Sequence, residues 1–147
     1  MFDEVKARLA AVSDLAGRIQ PGASLSELMA RNMAPQVCPA AFVLPLGLRG
    51  GSVTAMSGFY VQGIAETLGI VLFLRAAGDV TGGKMADQLT PLRNAVIRAI
   101  VGWAPQSDWL EGETVGEFRL LRGELISLSG GLLTYQIDFG LDDQIRF

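Results

Sequence analysis

The chain reads as an α+β domain, a mostly antiparallel sheet of about five strands flanked by helices in the order ααβββαββ. Three observations predict it. Apolar residues recur at helical spacing near residues 2–15 and 85–103. Strand-like apolar runs lie between and after those stretches. Strands and helices do not alternate regularly, which argues against a doubly wound parallel sheet. With 147 residues the chain is expected to form one domain, residues 1–147, large enough for a single core.

Each element has a local reason. Phe2, Val5, Leu9, Val12 and Leu15 fall on one helical face, and Gly17 ends that helix. Ser24 and Glu27 match the S-x-x-E capping box, which predicts a second, short helix with Leu25, Leu28 and Met29 turned inward and Pro35 closing it. Ala40 to Leu46 is a buried strand with Pro39 and Pro45 near its ends. Leu48 to Val53 is expected to be a flexible loop, the candidate tip of a long hairpin. Two strands follow, Phe59–Ala65 and Leu68–Leu74, divided near Thr67-Leu68-Gly69.

Met85, Leu89, Leu92, Val96, Ile100 and Trp103 define the strongest helix. Pro91 fits it as a first-turn residue, with Thr90 as N-cap or a start near Asp87. Gly102 and Pro105 end it, and a polar acidic loop covers residues 105–117. Glu124–Leu128 and Leu132–Phe139 then pair through Ser129-Gly130-Gly131. Leu133, Tyr135, Ile137 and Phe139 share one face of the last strand, with Thr134, Gln136 and Asp138 on the other.

Composition narrows the function. Half the residues are hydrophobic, 18% are charged, and mean hydropathy is +0.35, so a disordered chain is excluded. A net charge of −3 argues against bulk or sequence-specific nucleic-acid binding. The absence of histidine removes Ser-His-Asp and Cys-His nucleophiles and the usual zinc sites. Cys38 cannot form an intrachain disulfide and is read as a small core residue. The most hydrophobic run, Ile70–Leu74, is far shorter than the roughly 18 residues of a membrane span. The acidic start, Met1-Phe2-Asp3-Glu4, is no secretory n-region, and a soluble cytoplasmic product is expected. High hydrophobicity with few charges predicts self-association or a large partner surface.

No enzyme constellation and no cofactor site emerge. Gly78 to Lys84 fits GxxxxGK, but Met85 stands where the phosphate loop needs a magnesium-binding hydroxyl. A glycine-rich turn with a lysine near a helix start is the favoured reading, and nucleotide binding through Lys84 stays as the alternative of a different class. Asp138, Asp142 and Asp143 could hold a hard cation, but they match no complete ligand pattern, so no metal is expected. Ser127 and Ser129 lack a nucleophile elbow. Trp103 and Trp109 are read as core or interface anchors.

The helix that runs Leu92-Arg93-Asn94-Ala95-Val96-Ile97-Arg98-Ala99-Ile100-Val101 and ends Gly102-Trp103-Ala104-Pro105 resembles the segment before the last hairpin in tail terminator proteins of long-tailed bacteriophages. The continuation Phe118 to Leu125, the aromatic strand Leu132 to Phe139, and the terminus Gln144-Ile145-Arg146 follow the same pattern. The resemblance spans most of the chain. It implies a ring, commonly of six subunits, that caps the tail tube, stops its polymerisation and meets the head connector. The implied partners are copies of itself, the tail tube protein and head–tail connector proteins. The implied location is the head–tail junction of the virion, after assembly in the bacterial host cytoplasm. Another neck or tail-tube component is the nearest alternative.

Two segments are candidate contacts. The first is Leu48 to Met56, with Arg49, Gly50, Gly51, Ser52, Val53 and Met56. The second is Asp138 to Phe147, with Asp138, Asp142, Asp143 and Arg146, a terminal strand suited to extending a neighbour's sheet. Residues 1–107 carry 9 basic and 7 acidic side chains (+2), and residues 108–147 carry 3 and 8 (−5), a polarity compatible with head-to-tail stacking.

Overall fold

A computed structural model describes residues 1–75, 83–106 and 116–146. Its elements are α1 (Phe2–Ala10), β1 (Ile19–Pro21), α2 (Gly22–Ala30), β2 (Ala40–Met56), β3 (Phe59–Arg75), α3 (Gly83–Ile100), β4 (Arg119–Ser129) and β5 (Leu132–Arg146). The five strands form one sheet in the order β1-β2-β3-β5-β4. All neighbours are antiparallel except β1 and β2. The expected α+β class and antiparallel character hold.

The sheet buries both faces in its lower half. On the first face, Ala41, Val43, Leu68, Ile70, Leu72, Leu74, Ile137 and Phe139 pack with Val5 and Leu9 of α1 and Met85, Leu92, Val96 and Ile100 of α3. These belong to the helix stripes read from sequence, with Leu89 and Trp103 packed at their margin, while Phe2 at the start of the first stripe is exposed. On the second face, Ala40, Phe42, Val71 and Phe73 lie beneath Leu25 and Leu28 of α2. Phe42 and Phe73 meet edge to face at 5.5 Å. Covering on both faces explains why Leu68–Leu74 is continuously apolar rather than alternating. Leu133, Ile137 and Phe139, with Tyr135 partly buried, point into the first face as expected.

Several boundaries differ from the sequence reading. The first helix stops at Ala10, because Val12 turns extended and a 3-10 turn over Ser13–Leu15 drops Leu15 into the core. The capping box is not used. α2 begins at Gly22 straight after β1, so Ser24 is already helical. A Cβ on Gly22 would sit 2.5 Å from a methyl of the Leu44 side chain, which would have to shift to admit one. Met29 is exposed rather than inward.

Leu48–Val53 is not a loop. β2 runs unbroken to Met56, and the hairpin tip is Ser57-Gly58, with Gly58 in the left-handed region. Phe59–Ala65 and Leu68–Leu74 are one strand, because the glycines among them cost strand propensity without interrupting the ladder to β5. α3 starts at Gly83, which places Pro91 inside the helix, on its exposed side. The carbonyl it leaves unpaired can be met by water there. The last hairpin is longer than expected, and its two-residue loop Gly130-Gly131 has both φ angles positive, the requirement of a type I′ turn.

Candidate functional site

The upper half of the sheet projects beyond the helices as an arm. It consists of β2 from Gly47, β3 up to Glu66, and β5 from Leu141. The two segments predicted as contacts therefore flank β3, one on each side. Arg49 pairs in register with Ala65, and Ala65 with Asp142. Gly50 faces Ile64, Val53 faces Gln62, and Gly51 and Ser52 form a bulge opposite Gly63. A Cβ on Gly51 would lie 3.1 Å from the Gly63 carbonyl oxygen, so the bulge closes tightly only with glycine. The Gln62 amide donates to the Gly51 carbonyl at 3.4 Å. At the tip, Met56 is 71% exposed and Phe59 opposite it is 50% exposed.

The acidic candidates separate by sheet parity. Asp138 and Asp142 lie on the second face, where they latch β4 to β5. The Asp138 carboxylate accepts from Arg122 Nε at 3.1 Å and from the Gln136 amide at 2.8 Å. Asp142 binds Arg119 at 2.6 Å. Asp143 points to the first face, is buried, and accepts the Gln144 backbone N–H at 2.7 Å. The three carboxylates are thus not one cluster, and no metal-binding group occurs among the described residues. Arg146 donates to the Gln144 side chain at 2.7 Å and 3.1 Å.

The other candidates have plainer roles. Lys84 is exposed in the first turn of α3, while Met85 is fully buried. The position that a phosphate loop gives to a magnesium-binding hydroxyl therefore faces the core. Gly78 to Gly82 lie outside the described residues, as do Trp109 and Phe147. Trp103 stacks on Phe118 at 5.7 Å, with the Arg8 guanidinium 4.6 Å over its ring. The Gly102 N–H donates to the Phe118 carbonyl and the Phe118 N–H to the Trp103 carbonyl, tying the end of α3 to the start of β4. Cys38 is half-buried against the second cluster. No helix among the described residues is long and apolar enough to cross a membrane.

One surface escaped the sequence reading. β4 is an edge strand exposed along its whole length, carrying Leu120, Leu121, Leu125, Ile126 and Leu128. Its bulges at Leu121 and Ile126 are foreshadowed by the doublets Leu120-Leu121 and Leu125-Ile126, which break the period of two. The opposite edge is open as well. β1 covers only Ala41–Val43, so β2 from Leu44 onward has no strand on its outer side among the described residues.

Comparison with known proteins fits this architecture. Residues 2–146 match the family described as phage tail terminator protein. No curated protein matches the chain significantly. Among solved structures, a chain of the "Virion of native gene transfer agent (GTA) particle" is similar over 96% of this chain and 92% of its own length. Its TM-score is 0.54 at 15% identity, a likeness of fold. The match spans nearly the whole chain, and the chain belongs to the phage tail terminator protein family.

Proposed function

We propose that this chain closes the finished end of a phage tail tube as a ring, commonly of six subunits. The ring stops tube polymerisation and presents a surface to the head connector. Its partners are neighbouring copies, the tube protein and connector proteins. Its place is the head–tail junction, reached after synthesis in the host cytoplasm. The observation that carries the reading is the family match across residues 2–146. The sheet supports it: two different open edges allow a head-to-tail contact, and such a contact closes into a ring when its rotation does.

Immunolabelling of particles in the electron microscope tests the reading. Label at the head–tail junction, with overlong tubes when the chain is removed, is the expected result. Label along the tube or at its distal tip overturns it. Label at the junction with normal tube length without the chain favours a neighbouring neck protein.

A further inference from the structure

We propose that β4 of one copy adds antiparallel to the outer edge of β2 in the next, with Glu124 opposite Arg49, so that the sheets continue from subunit to subunit. The inference rests on the ring reading and names the contact that would build the ring.

Strand direction permits the contact. β4 runs opposite to β2 within the sheet, so a sideways repeat of the subunit sets β4 against the next β2 in antiparallel sense. Length narrows the register, and the bulges and face parity choose within it. β4 has eleven residues, and the outer edge of β2 is open from Leu44, directly after the stretch paired with β1. Setting Ser129 opposite Leu44 carries Arg119 to Thr54 and fills that edge without touching β1. A slip by two residues one way drives Ser129 onto Phe42, beside β1, and sets Arg122 against Arg49.

Sheet parity agrees along the whole overlap. Leu48 and Leu125 both lie on the first face, as do Val53 and Leu120. Arg49 and Glu124 both lie on the second. The bulge at Gly51-Ser52 meets the bulge at Leu121, and the bulge at Leu46 falls within one residue of the partner of Ile126. Matched bulges give the two edges the same local bend. The contact would cover the four leucine and valine side chains just named, each 44–57% exposed in the single chain. An apolar edge strand free of proline and lysine is normally a hazard, and a designated partner removes it.

Charge completes the fit. Arg49 makes no ion pair among the described residues. Glu124 is half-exposed and binds Arg122 through one oxygen, Oε2, at 2.9 Å. Opposite charges directly across a ladder stabilise it, and like charges weaken it.

Disulfide trapping tests the register in the full-length chain carrying Cys38→Ser. Leu48→Cys with Leu125→Cys is expected to give a ladder of linked copies, up to a closed ring, on mild oxidation of purified particles and of concentrated protein. The two positions cannot join within one copy, since β2 and β4 stand three strand spacings apart, about 14 Å. Leu48→Cys with Leu120→Cys, out of register, is expected to stay unlinked. Equal linking of both pairs, or no ladder from the first, overturns the proposal.

A charge swap gives a readout independent of cysteine. Arg49→Glu and Glu124→Arg are each expected to weaken association about fivefold per contact, with the double variant restored. Loss without restoration overturns the pairing. If junction label and tube length stay normal while trapping and swap both fail, this contact is wrong and the terminator reading stands.

Discussion

Two halves of one strand show how this chain divides its labour. From Leu68 to Leu74, β3 is buried on both faces, under α1 and α3 on one side and α2 on the other. From Val61 to Ala65 the same strand keeps its partners on both sides but leaves the helix layers, and only Ile64 is buried. What ends near Glu66 is the cover, not the ladder. The lower half provides the core burial that folds the domain. The upper half is held by backbone hydrogen bonds and cross-strand neighbours, and its exposed side chains, Met56 and Phe59 among them, are available for contacts with other molecules.

The sharpest way to break this contrast is a matched truncation in each half. Phe139→Ala removes a fully buried ring from the core and is expected to cost about 3–5 kcal/mol in urea unfolding. Met56→Ala at the arm tip is expected to change stability by less than about 0.5 kcal/mol while lowering the fraction of capped tails. A comparable loss of stability from both would make the arm part of the core.

Two of the second-face arginines sharpen it at smaller scale. Arg122 holds the buried Asp138 carboxylate, and Arg122→Ala leaves only the Gln136 amide on it. A loss of about 1–2 kcal/mol is expected, read from the urea midpoint. Arg49→Ala is expected to stay within about 0.5 kcal/mol in the single chain and to act on assembly instead. Point changes separate these roles better than deleting residues 50–54. An odd deletion slips β2 by one step and turns its side chains to the wrong face.

Much of this division was legible in the sequence, and the failures share a cause. Helix stripes such as Met85-Leu92-Val96-Ile100 and the apolar run Leu68–Leu74 signal burial, and burial is what periodicity reports. The outer part of β2 is exposed from Pro45 to Met56 and has no buried face to impose a pattern. Its glycines at 50 and 51 therefore read as a loop, although β3 pairs with that strand almost to its tip. β4 was read short for a related reason: its two bulges switch the apolar face, and alternation fails at each. Arg49 and Asp142 stand out in sequence only as charges within two candidate contact segments. Their placement on either side of Ala65, and the capture of Asp142 by Arg119, depend on strand order, which local spacing does not encode. β1, three residues between a turn and a helix, has no period to show.

The smallest effect lies at the boundary of the two halves. Glu66 sits between Leu48 and Leu141 in the sheet, and its Oε2 is buried without a hydrogen-bond partner. Burial raises its pKa above the ordinary glutamate value, and the positive Met1 amino group offsets part of that rise. The folded chain therefore holds this proton to a higher pH than the unfolded chain does. Stability falls as pH rises through the window between the two values, and the penalty is complete above the folded one. Glu66→Gln removes the charge and keeps the shape. The melting temperature is expected to rise by about a degree at neutral pH, where the penalty is full. At about pH 4 or below, where both states carry the proton, the gain is expected to vanish. A melting series across that range checks both arms. A variant less stable at neutral pH would mean that attraction to the Met1 amino group outweighs burial, and that Glu66 works as a clasp between α1 and the base of the arm.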